Sequence, residues 1–326
     1  MDLEDRAWRV GLTALLTTLL IRLCAMDVPQ VIVSWLKEPN TAAFLIYLET
    51  GRDVRFSPSQ EAVPPDFGSF TPDYMESPSA ASESDPLPPF SEPVALINTS
   101  GKTVDEAALL EEPLTWNLQG EDPTVLILHT HSTESYTRTD EPYQEVSAWR
   151  TLDDHYNMLS IGQEVASLLA QAGIPTIQDR SYHDYPSYNG SYVDARDTLQ
   201  TYLEDYPTIA LVLDLHRDAA GTGANQLRTL AQVEGADSAQ LMIVLGTNHE
   251  QYEKNLALAL KLHAALEEMS PGIMRPLQLR PQRFNQDLSP GGLLIEVGAA
   301  GNTHDEALRA ARMLAKAIIA LADGTK

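Results

Sequence analysis

Cysteine and basic residues are both scarce in this sequence. The one thiol, Cys24, in 326 residues excludes an intramolecular disulfide and any zinc site built from several thiolates. Lysine and arginine total 22 against 46 acidic residues, so the formal net charge is -24. Because nucleic-acid binding leaves a basic patch as its footprint, this balance argues against a nucleic-acid partner. Imidazoles, from eight histidines, and carboxylates remain as metal ligands.

A long apolar run is also missing. The longest near the N-terminus covers residues 10–21 and stops at Arg22, whereas a helical membrane span needs about 20 apolar residues. The run fits a signal-anchor if Arg22 reaches back to the membrane interface. Since no Ala-x-Ala cleavage site follows, we expect an uncleaved membrane anchor over residues 1–26. The alternative is an amphipathic N-terminal helix on a soluble protein.

Residues 27–93 are expected to connect this anchor to a folded domain. Within them, residues 56–93 hold nine of the 21 prolines and seven acidic residues, with no lysine or arginine. Such a composition is typical of an extended, self-repelling, disordered linker. We therefore place the folded, catalytic domain at residues 94–326.

Apolar runs alternate with helical patterns through this domain. After a short strand-and-helix lead-in over residues 94–112, the pattern predicts an α/β fold. The sheet is expected to be mostly parallel and twisted, with helices on both faces. Ser191 is a predicted N-cap and residues 303–306 a capping box. Predicted strands are 124–128, 174–177, 208–215, 227–233, 240–245 and 293–297; predicted helices are 156–172, 193–206, 255–269 and 303–322.

Ligand-type side chains follow two of these strands. His131 and Glu134 are three residues apart, close enough in one turn to bind the same ion, and His216 follows the strand 208–215. A catalytic zinc takes three protein ligands and keeps a position for water. His129 competes with Glu134 for the third place, because in an extended strand it points to the same side as His131. Otherwise His129 would support a ligand or contact substrate.

A third strand contributes a carboxylate. Glu296 lies inside the apolar run 293–297, where a carboxylate is costly to bury unless it is paired or functional. Beside a metal-bound water it could act as the catalytic acid and base. Asp214 lies on the same strand face as His216 and could orient that imidazole, or equally be a structural carboxylate. The alternatives are a hydrogen-bonded core histidine for His216 and an ordinary salt bridge for Glu296.

Substrate contacts are expected in two places. The segment 182–192 is rich in Tyr, Asn and Ser, which suits a sugar and peptide strand, and its candidates are His183, Tyr188 and Asn189. The alternative is a rigid loop that packs on itself. Arg217 could stabilise an oxyanion or form a salt bridge with Asp218.

Six motifs in this order resemble those of the stage II sporulation protein P family. They are HTHSTESY (129–136), HDYPSYNGSY (183–192), LDLHRD (213–218), GTN (246–248), NQDLSP (285–290) and LIEVG (294–298). The resemblance extends from about residue 94 to the C-terminus. At the front, the short anchor and the acidic linker depart from what the family leads us to expect.

The resemblance implies a fold similar to zinc-dependent N-acetylmuramoyl-L-alanine amidases, with Zn2+ as cofactor. His131 and His216 would be ligands and Glu296 the catalytic carboxylate. The substrate would be peptidoglycan, cut between muramic acid and the first alanine of the stem peptide, with an endopeptidase activity on cross-links also associated with the family. It further implies a cell-membrane anchor, an extracytoplasmic domain, and work beside stage II sporulation proteins D and M at the sporulation septum and engulfing membrane.

Two other functions remain open. A zinc carboxypeptidase-type hydrolase acting on another peptide would use the same His-x-x-Glu and distant His pattern. A non-catalytic scaffold could keep the fold and bind glycan or a partner. Replacing Glu296 should abolish turnover and leave the metal bound only if the protein is an enzyme.

Overall fold

The computed structural model describes residues 94–114, 116–137, 145–147, 149–222 and 225–324. The predicted anchor (1–26) and linker (27–93) lie outside these residues. Within the described ranges, no helix combines the length and apolar character needed to cross a bilayer.

The described chain contains thirteen strands, five α-helices and a 3-10 helix. The strands are β1 Leu96–Asn98, β2 Val125–Leu128, β3 Glu145–Ser147, β4 Arg150–Thr151, β5 Thr176–Gln178, β6 Leu211–Asp218, β7 Gly221–Thr222, β8 Asn225–Gln226, β9 Leu230–Val233, β10 Ala236–Ala239, β11 Leu241–Gly246, β12 Leu277–Arg280 and β13 Gly292–Ala299. The helices are α1 Glu106–Glu111, α2 Met158–Gln171, α3 Ser191–Asp205, α4 Tyr252–Met269 and α5 His304–Gly324; the 3-10 helix is Gln286–Leu288.

Seven strands form one sheet in the order β1-β12-β11-β13-β6-β2-β5. All neighbours are parallel except β11 and β13, which pair antiparallel with Ile243 opposite Ile295. β6 and β13, the two central strands at residues 211–218 and 292–299, are almost entirely buried. This confirms the predicted mostly parallel α/β sheet, with one reversal that apolar patterning could not predict.

Side chains alternate between the two faces of the sheet. On the first face, Val125, Ile127 and Leu213 belong to a large core that includes buried residues of α2, α4 and α5. On the second face, Leu126 and Val212 pack with residues of α3. Helices therefore cover both faces, as predicted.

The second face is covered differently over β11 and β13. There the apolar side chains Met242, Val244 and Leu294 pack against Phe284, which lies in the segment between β12 and β13. A loop thus performs the covering that helices perform elsewhere.

Several element boundaries match the predictions. The lead-in contains β1 and α1, and α2 and α4 lie where helices were expected. The capping box is confirmed, since Thr303 N donates to Glu306 Oε2 at 3.1 Å and Glu306 N donates to Thr303 Oγ1 at 3.3 Å. The predicted N-cap Ser191 is wrong: Gly190 occupies that position at φ 100°, a left-handed conformation that glycine adopts without steric cost.

Candidate active site

The site lies on the second face of the sheet, towards the ends of the two central strands. His216 on β6 and Glu296 on β13 are direct Cα partners in the parallel ladder. Asp214 and Leu294, two residues earlier, are partners in the same register. Because side chains two apart share a face, Asp214 and His216 lie on one side of the sheet together with Glu296.

The turn after β2 carries His131 and Glu134. The backbone closes here, with Glu134 N donating to His131 O at 3.2 Å. Asp184 fixes the turn from outside, accepting from Thr133 N at 3.2 Å and from Thr133 Oγ1 at 2.6 Å. Ser132 Oγ also lies 3.4 Å from the same carboxylate. The abrupt end of the strand thus places His131 and Glu134 beside β6.

The structure brings the three predicted ligands together around His216. The rings of His131 and His216 meet edge to face with centroids 5.2 Å apart. Glu134 Oε2 lies 3.8 Å from His216 Nδ1, while Asp214 Oδ1 lies 3.0 Å from Nε2. The Asp214 carboxylate thus lies against Nε2 as an ion pair rather than a well-aligned hydrogen bond, and Nδ1 is the nitrogen that faces Glu134.

The donor set fits zinc in residue type: two imidazoles and a carboxylate, with a further carboxylate beside one ring. The ligand atoms of His131, Glu134 and His216 do not all lie within 4.8 Å of one another. Across the described ranges, the one group of three ligand-type side chains whose donor atoms lie within 4.8 Å of one another is Asp153, Asp154 and His155. That group is partly exposed and carries acidic residues of the ordinary surface kind.

Burial and charge set the protonation of the predicted ligands. Burial lowers the pKa of His131 to about 4, so the ring is neutral and can offer a lone pair. For His216 burial acts in the same direction, but the neighbouring carboxylates, Asp214 first and then Glu134 and Glu296, together outweigh it and raise the pKa of His216 to about 9. Burial opposes ionisation of Glu134, yet neighbouring positive groups, Arg217 first, hold the pKa of Glu134 below its ordinary value. In the metal-free site His216 is therefore protonated at neutral pH, and a metal ion would have to displace that proton in order to bind the ring.

Glu296 is in a different state. Burial raises the pKa of Glu296 to about 8, against the opposing influence of His216. Its Oε2 atom is buried and has no hydrogen-bond partner within the described chain. Leaving a buried carboxylate oxygen unpaired is costly, so this oxygen is a candidate for a partner supplied from outside the protein.

Two arginines frame Glu134. Arg217 N donates to Glu134 Oε2 at 3.2 Å, and the guanidinium of Arg217 bonds the carbonyls of Ser135 and Trp149, each at 3.0 Å. Arg150 donates to Glu134 Oε1 at 3.2 Å and to Asp184 Oδ2 at 2.5 Å. Sequence reasoning missed Arg150, which sits in the two-residue strand β4 and belongs to no periodic pattern.

The three predicted substrate contacts in segment 182–192 differ in their exposure. Tyr188 is 54% exposed and stacks on the His131 ring at 4.6 Å, and Asn189 is also exposed. His183 is buried, with Nδ1 3.1 Å from His129 O and Nε2 3.1 Å from Thr198 Oγ1. Tyr188 and Asn189 therefore lie at the rim of the site, and His183 beneath it.

His129 lies on the other side of the sheet from His216. Its Nδ1 is 3.3 Å from Leu215 O and its Nε2 is 2.9 Å from Gln178 Nε2. The ring presses on α2 at Gly162, where an added Cβ would come within 2.4 Å of Nε2. The premise of an extended strand reaching His131 is wrong, because β2 ends at Leu128. Burial lowers the pKa of His129 to about 4, which keeps the ring neutral.

Known proteins similar to this chain fall into two groups. The chain is 27% identical over 207 residues to the stage II sporulation protein P of Bacillus subtilis (strain 168). The aligned region covers 60% of this chain and 50% of that protein. The chain thus spans about half the length of this relative.

Solved structures with a similar chain path are amidases. The N-acetylmuramyl-L-alanine amidase of Mycobacterium abscessus is 14% identical at a TM-score of 0.38, covering 63% of this chain and 99% of its own. The N-acetylmuramoyl-L-alanine amidase of Clostridium difficile 630 is 17% identical at a TM-score of 0.37, covering 61% and 94%. At these identities and TM-scores, nothing about activity follows.

The family comparison is more specific. The model of Stage II sporulation protein P (SpoIIP) matches residues 72–319, well over half of the sequence. All six motifs noted in the sequence lie inside the matched range. The chain belongs to the stage II sporulation protein P family.

Proposed function

We propose that this protein is a zinc-dependent peptidoglycan hydrolase of sporulation, acting at the amide between muramic acid and the L-alanine of the stem peptide. The observation that carries the proposal is the convergence of His131, Glu134 and His216 beside Glu296, whose Oε2 is buried without a partner. Membership of the family supports the wall substrate.

The ligands would be His131, Glu134 and His216, with Asp214 orienting the His216 ring from Nε2. Zinc, when bound, lowers the pKa of a water molecule and polarises the carbonyl of a substrate amide. Arg217 and Arg150 keep the Glu134 carboxylate ionised and fixed in direction.

Glu296 would be the acid and base of the reaction. In its ionised form, which a bound cation would favour over the protonated form of the metal-free site, its Oε2 would accept the proton of the attacking water and deliver it to the leaving nitrogen of the stem peptide. The carboxyl group needs no rearrangement for this role, because the oxygen concerned makes no hydrogen bond that would have to break first.

The rim would contact the glycan–peptide strand. Tyr188 and Asn189 are exposed, Tyr188 stacks on His131, and the Tyr192 ring lies 6.3 Å from the His216 imidazole at an angle of 16°. The proposal has four further parts. The enzyme would also cleave cross-links, and it would keep an uncleaved N-terminal anchor. It would act outside the cytoplasm at the septum, together with stage II sporulation proteins D and M.

Digestion of purified peptidoglycan by the full chain tests the proposed reaction. We expect free stem peptides with a new alanine amino terminus, detected by mass spectrometry, lost with a chelator and restored by zinc. Glu296→Gln should abolish product while zinc still binds. Glu268→Gln, an exposed carboxylate on α4, is the matched control and should act like wild type. Intact glycan–peptide bonds under all these conditions would refute the proposal.

A further inference from the structure

The segment between β12 and β13 has an unusual backbone. Phe284 and Asn285 are successive non-glycine residues with φ of 50° and 57°. This left-handed region is sparsely populated by side-chain-bearing residues, and a bulky residue such as Phe is seldom found in it. Such conformations persist where the surroundings impose them, often at functional sites.

The surroundings of this segment do impose it. Asn285 Nδ2 donates to Tyr192 O at 2.8 Å, and Arg196 on α3 bonds both oxygens of Asp287 at 2.8 Å each. Gln286 pairs with the backbone at the end of β11, accepting from Gly246 N at 2.7 Å and donating to Val244 O at 2.9 Å. The segment is therefore tied to α3 on one side and to the sheet on the other.

The strained turn places the Phe284 ring on the sheet face that carries Glu296. It packs on Met242, Val244 and Leu294, and Met242 is the ladder partner of Glu296. Its centroid is 6.1 Å from that of Tyr192, the ring that lies along His216. Phe284 is half-buried, so part of it remains accessible. The two rings form what we call the aromatic wall, Tyr192 and Phe284.

We propose that the aromatic wall receives a pyranose ring of the glycan strand; this inference rests on the proposed function and adds the orientation of its substrate. The wall is lined by aromatic and aliphatic side chains. The Tyr188 ring, which stacks on His131, by contrast has the Arg150 guanidinium 4.7 Å from its centre. An uncharged aromatic surface suits the C–H face of a sugar, whose hydrogens meet the negative ring face.

The test measures binding in the full-length, zinc-loaded Glu296→Gln protein, where turnover does not interfere. Peptide-free glycan strands and free stem peptides are titrated separately by calorimetry. Phe284→Leu keeps an apolar side chain on Met242, Val244 and Leu294 but removes the aromatic face. We expect about tenfold weaker glycan binding, unchanged peptide binding, and near-parental affinity for Phe284→Tyr. Ile97→Ala, an exposed apolar residue on β1, is the control and should change neither.

Glycan affinity equal to the parent in Phe284→Leu would overturn the inference, and so would a selective loss of peptide affinity. If Phe284→Leu fails to fold, Phe284→Met gives the same comparison with a more adaptable side chain. Failure of the proposed function is visible separately, as absence of hydrolysis by the wild-type chain. Loss of glycan binding in Phe284→Leu would still support the aromatic wall in that case.

Discussion

The buried carboxyl of Glu296 predicts an unusual coupling between stability and pH in the metal-free protein. Its pKa is about 8 in the fold, against an ordinary value of 4.5. Between these two values the native state holds a proton that the unfolded chain has released. The stabilisation is therefore complete below pH 4.5 and is lost as pH rises towards 8.

The magnitude follows from the size of the shift. One pH unit corresponds to about 1.4 kcal/mol for a single proton, so raising the pH from 4.5 to 7 should remove about 3 kcal/mol of stability through Glu296 alone. The substitution Glu296→Gln has no proton to lose and should escape this loss. Between pH 4.5 and pH 7, the difference in unfolding free energy between the variant and wild type should therefore shift by about 3 kcal/mol in favour of the variant.

Urea unfolding of both proteins in chelator, followed by circular dichroism at several pH values between 4.5 and 8, measures this difference. Comparing each variant with wild type removes the contributions of the other titrating groups. Glu268→Gln, which removes an exposed carboxylate on α4, is the control. A flat difference for Glu296→Gln would refute the reasoning, because it would mean that Glu296 ionises as readily in the fold as in the unfolded chain.

Three further predictions follow from other contacts. Asp214→Asn should weaken zinc binding about 10–100-fold in a calorimetric titration, because the His216 ring loses its orienting carboxylate; unchanged affinity would contradict this role. Gly162→Ala should cost about 1–3 kcal/mol in urea unfolding, since the new Cβ meets His129 Nε2 at 2.4 Å; an unchanged midpoint would show that the ring moves freely. Asn302→Ala should lower the free energy of unfolding by about 3 kcal/mol, because it removes the side chain that bonds the Thr229 backbone N–H and C=O at 3.2 and 2.7 Å. A melting temperature within about two degrees of wild type would contradict this prediction.

Much of the fold could be predicted because the apolar runs and the helix-capping residues in the sequence agree with the tertiary structure. The run 208–215 predicted a central buried strand, and β6 is one, extended to Asp218. The strand β12 was missed because it has four residues, alternates apolar with polar side chains, and follows Pro276. The antiparallel pairing of β11 with β13 depends on how the chain crosses the sheet, and no local pattern encodes that.

The site was predictable to the extent that strand ends gather ligands in open α/β sheets. Its finer geometry was not, because it depends on the angle at which the chain leaves β2. That turn separates His129 from His131 and brings Ser191 within 3.3 Å of His131 Nδ1, so that Ser191 contacts the site and does not cap a helix. Arg150 could only be found from the fold, since its importance lies in its contacts with Glu134 and Asp184.

The outer position of β1 has a mechanical consequence. The 93 residues that precede the described chain connect to it through β1, which pairs only over Leu96 to Asn98 with β12. Three strands, β12, β11 and β13, separate β1 from β6 and His216. Tension applied from the N-terminal side would load this short outer ladder first. Detachment of β1 under such a load would leave the central ladder between His216 and Glu296 intact, because β1 pairs with β12 alone within the described sheet.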